Sequence, residues 1–270
     1  MKNIKSANFY WLFLAYCLLV IPSSCLLREE GCRDVSATNF EASAEDDCED
    51  CCIFPDISFQ IDHTVGDTSL TYGDSIEFDN KLFAILEATF YINGFSLTGV
   101  DPTITIFDEI TLTDRDGNEN ITTNDIEIIS RDIASFSYEI GSFRDQGSFD
   151  MLNFQVGLTP IQAATDPESV PDDHPLSPEN GRFALPDSTF LFSILRIDDL
   201  INNDTIEYNI NTAVNITLPY SVTINSGFDL DIPVTVDYLK WIEGINFADD
   251  PLIATQIMVG NLPNAFTISE

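Results

Sequence analysis

Two residue types in this chain are suited to metal or redox chemistry, and both are scarce: six cysteines and two histidines among 270 residues. Cys32, Cys48, Cys51 and Cys52 fall within the segment 31–52, "GCRDVSATNFEASAEDDCEDCC", together with seven acidic residues. Cys48 and Cys51 have the C-x-x-C spacing of a zinc ligand pair. Zinc takes thiolates, however, and the neighbouring Asp46, Asp47, Glu49 and Asp50 raise thiol pKa values. The rival chemistry is a pair of disulfides. Four cysteines allow three connectivities. A bond between the adjacent Cys51 and Cys52 is strained, which leaves 32–51 with 48–52, or 32–52 with 48–51.

Compartment decides between zinc and staple. Lys2 and Lys5 precede an uncharged apolar run at 9–21, "FYWLFLAYCLLVI". At 13 residues it is too short to span a bilayer, which takes about 20, and it has the length of a signal-peptide core. "PSSC" then places small residues before Cys25, as in a bacterial lipoprotein signal that lipidates the cysteine. The expectation is a signal peptide over 1–24, lipidation at Cys25 and export to the outer membrane or cell surface, on its periplasmic or extracellular face. The only membrane contact expected is the N-terminal lipid. Exported chains meet oxidising conditions in which thiols pair, so residues 25–56 read as a lipidated N-terminus followed by an acidic, disulfide-stapled module.

The histidines are His63 and His174. His63 follows the parity of Ile57, Phe59 and Ile61, so it points to the apolar face near a strand end. His174 sits in "VPDDHPLSPENG" beside Asp172 and Asp173. Each has an ordinary reading, a hydrogen-bonded core histidine and a loop histidine paired with carboxylates. If strand end and loop meet, two imidazoles could hold copper, nickel or zinc. Calcium has its own candidate, the alternating oxygen ligands Asp114, Asp116, Asn118 and Asn120 in "DRDGNENITTND". There Gly117 comes one position early for an EF-hand and the required Glu is displaced, so an acidic hairpin turn explains the stretch equally well.

The elements that must position these residues read as strands. Ile57, Phe59 and Ile61 alternate with Ser58, Gln60 and Asp62, which is period two with one face buried. Leu152, Phe154, Val156 and Leu158 repeat the pattern, as do Val214, Ile216 and Leu218, then Phe228, Leu230, Ile232, Val234 and Val236. Polar turn clusters such as "INNDT" separate them. One helix is expected over 250–259, with Asp250 as cap, Pro251 in the first turn and Gly260 as the stop. The fold class expected is all-β, an antiparallel β-sandwich over 57–270 with long loops and little helix. The interval 160–186 holds six of the 13 prolines and no convincing strand. Loops of that length in compact domains tend to be functional or disordered.

The formal charge of −34, from 11 basic against 45 acidic residues, repels phosphate backbones and excludes nucleic acid as a partner. With 44% hydrophobic residues and 20 phenylalanines the chain can still bury a core. Catalysis has little support: there is no Gly-x-Ser-x-Gly elbow, no glycine-rich phosphate loop and no cysteine expected free after export. Among 45 carboxylates no acid/base pair stands out.

Two resemblances add to this reading. Gly31, Cys32, Asp34, Ala37, Asn39, Phe40 and Ala44 match "GCxDxxAxNYxxxAxxDDGSC", a short module of bacterial envelope proteins, with "CEDC" where the module has Gly-Ser-Cys. Over 57–270 several motifs, in order, resemble the MbnP-like family of copper-binding envelope proteins associated with methanobactin uptake: "FQIDHTVGD", "ATFYINGFSLTG", "LNFQVGL", "HPLSPENGRF", "DYLKWIEGINF" and the terminal "NAF". The resemblance implies an exported, mostly β domain that binds copper for acquisition or delivery and is not an enzyme. Characterised members hold copper with histidines and an oxidised tryptophan, and only His63 and His174 carry over. Where the family has its tryptophan this chain has "RFALPDSTFLF", with Phe183, Phe190 and Phe192. Trp241 lies instead on the closing segment. The competing reading, from a different class, is an acidic surface module, stabilised by calcium, that binds an envelope partner protein or a glycan.

Overall fold

The structure is a computed structural model that describes residues 28–48, 50–99, 103–130, 137–180, 182–184 and 189–269. The signal segment and Cys25 lie outside them. Twelve main strands are labelled in chain order: β1 (Asp56–Val65), β2 (Lys81–Gly99), β3 (Glu109–Thr113), β4 (Glu119–Thr123), β5 (Glu127–Ser130), β6 (Ser137–Ser142), β7 (Gly147–Val156), β8 (Ser193–Asp199), β9 (Asp204–Ile210), β10 (Val214–Ile224), β11 (Leu230–Asp237) and β12 (Phe266–Ile268). The helices are α1 (Pro160–Ala164), α2 (Tyr238–Trp241) and α3 (Pro251–Ala265).

The larger sheet runs β9-β8-β2-β7-β10, and β5 and two short strands, Ile76–Phe78 and Ile104–Thr105, also pair with β2. The second sheet runs β6-β1-β11-β12, with Thr68–Ser69 beside β1. The fold is all-β, as the alternation predicts. One pairing departs from the antiparallel expectation: β1 and β11 run parallel, Ile57 opposite Leu230 through Thr64 opposite Asp237. The two strands are far apart in sequence, so no hairpin constrains their direction.

Alternation supplies the core. Ile57, Phe59 and Ile61 are buried, as are Leu152, Phe154, Val156, Ile216, Leu218, Ile232, Val234 and Val236, and they join one apolar cluster between the sheets. Phe228 does not follow the expected alternation; it lies before β11 begins and is 69% exposed. The predicted helix is also longer than expected. Asp250 does cap it, accepting from the Leu252 amide at 2.9 Å. The helix nonetheless continues through Gly260 to Ala265. Ala254, Met258, Leu262 and Ala265 recur at three- and four-residue spacing and are buried, so packing of that face outweighs the weak helix propensity of glycine.

Residues 160–180 form no open loop. Thr159 and Gln162 make a capping box at the start of α1, and single 3₁₀ turns follow at Pro167–Ser169 and Pro178–Asn180. Val170 and Leu176 pack with Tyr91, Leu112, Ile126, Ile128, Leu158 and Phe190 in a second, smaller core. Prolines that preset backbone dihedrals lower the entropy cost of ordering this segment.

In the N-terminal module Cys32 is bonded to Cys52 and Cys48 to Cys51. This settles the connectivity left open by the sequence and removes the zinc reading, because Asp47, Cys48 and Cys52 cluster without a thiolate. The module sits close against the sandwich. Gly227 has φ +74°, and a Cβ there would come within 2.9 Å of the Ala37 carbonyl oxygen, so glycine is needed for both the turn and the approach. The Arg144 guanidinium lies 4.0 Å from the ring centre of Phe54, on the connecting segment, and 4.3 Å from that of Phe107, on the sandwich.

Trp241 is fully buried between Tyr238 and Phe90, with ring centres 5.8 Å away in each case. Trp241→Ala is expected to cost about 3–5 kcal/mol of unfolding free energy in urea denaturation. A loss under about 1 kcal/mol would show that this end of the core is not tightly packed.

Candidate functional site

His63 lies on β1 with its side chain 4% exposed, turned inward as its parity predicts. Its Nδ1 is 2.8 Å from the Tyr238 hydroxyl, and the two rings stack nearly parallel with centres 5.9 Å apart. Tyr238 opens α2, whose cap, Asp237, accepts from the Leu239 amide. His63 is thus part of the aromatic packing where β1, β11 and α2 meet.

His174 is held quite differently. Its amide bonds to the Pro171 carbonyl, and its own carbonyl accepts from the Ser177 amide at 2.9 Å and the Asn180 side chain at 2.6 Å. The Tyr91 hydroxyl donates to the Pro175 carbonyl and ties the turn to β2. Within the turn the Leu176 amide donates to His174 Nδ1 at 3.1 Å. An Nδ1 that accepts a hydrogen bond carries no proton, so the neutral ring is protonated at Nε2. Burial holds the imidazole pKa below its ordinary value, against the opposing pull of Asp173. Nε2 is therefore an N–H donor. It is buried and meets no hydrogen-bond partner among the described residues.

His174 lines a cavity of about 520 Å³, within the 300–1,000 Å³ range of small-molecule sites. Ile110, Ile126, Ile140, Pro171 and Pro175 form its apolar wall, and Asp108, Glu127, Glu139 and Asp173 supply carboxylates. No lysine or arginine lines it among the described residues. Asp108 already accepts from the Ser142 amide at 2.6 Å. Burial, with a further push from Glu139, raises the Glu127 pKa to about 7. Nearby Asp125, 4% exposed and likewise raised by burial, accepts from the Phe95 amide at 2.9 Å and serves the backbone of β2.

His63 is not among the residues lining this cavity. The two imidazoles have separate surroundings, one in the core near α2 and the other in the proline-rich turn. Of the calcium candidates, Asp114, Asp116 and Asn118 lie in the β3–β4 hairpin turn and Asn120 lies on β4, opposite Leu112. The Asp114 carboxylate accepts four hydrogen bonds there, from the Asp116 and Asn118 amides and two from the Asn118 side chain. These bonds lower its pKa. Any cation at Asp114 would compete with the turn itself. Glu127 and Glu139 were not among the candidates drawn from sequence. The one local signal is a carboxylate inside the apolar run "IEII" at 126–129.

A second, more open cavity of about 880 Å³ lies between the cysteine module and the sandwich. Asp34, Asp47, Asp50, Asp56, Asp108 and Glu139 line it, with Phe54, Phe107 and Arg144.

No known family model matches the chain, and no curated protein matches its sequence. Among solved structures, MbnP from Methylosinus trichosporium is similar at 12% identity and a TM-score of 0.41, over 71% of this chain and 78% of that one.

The raised Glu127 pKa has a consequence for stability. The folded state binds a proton more tightly than the unfolded chain, so stability falls as pH rises from the ordinary carboxylate range towards about 7. In metal-free buffer, Glu127→Gln is expected to raise the melting temperature at pH 8 by about 2–4 °C, the equivalent of ~1 kcal/mol. The gain should vanish near pH 4.5. Equal gains at both values would show that Glu127 is not desolvated.

Proposed function

We propose that this chain is an exported, non-catalytic binding protein of the cell envelope, lipidated at Cys25, with an MbnP-like sandwich that captures a cationic ligand at the His174 cavity. The observation that carries the reading is a set of four carboxylates, Asp108, Glu127, Glu139 and Asp173, on a cavity lined by no lysine or arginine among the described residues. The two disulfides support export, since such bonds persist outside reducing compartments. No helix among the described residues is long and apolar enough to cross a membrane.

Copper is the cation that the sequence resemblance implies, and the residues present fit it poorly. A metal-bound imidazole donates its other N–H outward, whereas His174 Nδ1 accepts from Leu176. His63, the other imidazole, packs against Tyr238 in the core. Neither histidine belongs to a cluster of three ligand atoms within 4.8 Å among the described residues. The cavity lining has no thiolate or thioether for a soft metal. The competing reading, an acidic surface module for a protein or glycan partner, is favoured by the groove between module and sandwich with its six carboxylates and two phenylalanines.

Copper titration followed by calorimetry and electron paramagnetic resonance tests the metal form. The expected result is weak Cu²⁺ uptake that is the same in wild type and in the His63→Ala/His174→Ala double variant. One tight equivalent lost in the double variant would restore the copper reading.

A further inference from the structure

We infer that the Cys48–Cys51 disulfide is a reactive exchange site, reduced to a dithiol by an exported thiol that carries positive charge. The inference is independent of cation capture at the His174 cavity. It rests on how differently the two disulfides of the N-terminal module are built.

The Cys32–Cys52 bond is the structural one. It closes a separation of 20 residues, and Cys32 is 1% exposed. Cys48–Cys51 closes a separation of 3, with Cys51 exposed and Cys48 half-buried. The stabilisation from a disulfide grows with the loop it closes, so the second bond constrains the unfolded chain less. Its two ends are also held without it. Asp46–Asp47, just before Cys48, pairs with Glu30–Gly31, and the Cys48 amide donates to the Gly31 carbonyl at 3.3 Å. On the other side the Asn39 side chain donates to the Cys51 carbonyl at 2.7 Å and accepts from the Ile53 amide at 2.8 Å. The Thr38 amide donates to the Ile53 carbonyl at 2.7 Å. Opening the Cys48–Cys51 bond therefore leaves the backbone bonds of the module in place, and exposed disulfides are the labile class.

In the exchange, an incoming thiolate attacks the Cys51 sulfur, forming a mixed disulfide and releasing Cys48 as a thiolate. A second thiolate attacks the outer sulfur of that mixed disulfide. Cys51 leaves as a thiolate, and the two incoming thiols depart joined as one disulfide, having supplied two electrons. The protons they gave up reach Cys48 and Cys51 through solvent. The released Cys48 sulfur lies within 4.8 Å of the Cys52 sulfur. Attack there would expel Cys32 as a buried thiolate, which burial disfavours, so the reaction stops at the exposed pair.

Charge selects the thiol. Asp46, Asp47 and Asp50 flank the bond in sequence, and an Asp47 carboxylate oxygen lies within 4.8 Å of the Cys48 sulfur. Asp34, Asp47 and Asp50 line the same groove as Cys48. An anionic thiol approaches against that field, whereas an ammonium beside the thiolate offsets the repulsion.

The test uses the full oxidised chain and three probes: cysteamine, neutral 2-mercaptoethanol and anionic 3-mercaptopropionate. Each rate is divided by that of the same thiol on 2-hydroxyethyl disulfide, which removes intrinsic nucleophilicity. Samples are quenched in acid, alkylated and mapped by peptide mass spectrometry. Cys48 and Cys51 are expected to be alkylated before Cys32 and Cys52. At low ionic strength the relative rate should be about tenfold higher for cysteamine than for 3-mercaptopropionate. The gap should close to under about twofold in 1 M salt and narrow in Asp47→Asn/Asp50→Asn. Cys48→Ser/Cys51→Ser should keep the Cys32–Cys52 bond and lower the melting temperature by less than about 5 °C.

Reduction of Cys32–Cys52 first, or of both bonds together, would overturn the inference. So would equal relative rates for the three thiols at low salt. A larger loss of melting temperature in the double serine variant would make Cys48–Cys51 a second staple instead.

Discussion

The larger sheet is organised by a single long strand. Residues 83–90 of β2 pair with β8, and residues 92–99 pair with β7. β5 occupies the opposite edge at residues 89–92. A strand of 19 residues shared this way cannot stay regular. Gly94 adopts φ +66°, and the register against β7 shifts between Asn153 and Gln155. A bulge of this kind frees backbone amides, and a buried free amide needs an acceptor. Asp125 provides it through the Phe95 amide, at the price of a carboxylate enclosed in apolar surroundings.

The site follows from that arrangement. Asp125 fixes the approach to β5, and two residues later Glu127 is held at the cavity. Tyr91, on β2 just before the bulge, bonds to Pro175 and holds the proline-rich turn against the sheet. β6, from the second sheet, brings Glu139 to the same opening. The second core of Leu112, Ile126, Leu158, Val170 and Leu176 keeps these pieces together. An acidic chain can tolerate such a concentration of carboxylates because most of the others remain solvated, where charge repulsion is screened over about 8–10 Å.

Much of the architecture was legible from alternation. The parity that put Ile57, Phe59 and Ile61 inside also put His63 inside, and its partner turned out to be the Tyr238 hydroxyl from a helix 175 residues away. The disulfide segment was legible as a staple from charge and compartment, although the choice between two connectivities was not. Errors came where local rules met tertiary packing. Gly260 did not stop α3, because Met258 and Leu262 are both buried on the face that spans it. Phe228 did not join its neighbours, because β11 starts only at Leu230. The proline-rich stretch looked structureless because the order of residues 160–180 lies in single turns and in contacts with Tyr91 and Leu112, which have no period to detect.

The sequence by itself determined the strand class, the inward face of each principal strand, the acidic surface and the stapled module. Those properties are local, set by side-chain period, composition and spacing. Only the tertiary structure decided that the two histidines have separate surroundings, that β1 and β11 run parallel, and that Glu127 and Glu139 share a cavity with His174. Each of these joins residues distant along the chain, and a period of two says which face a residue takes but not what it meets there.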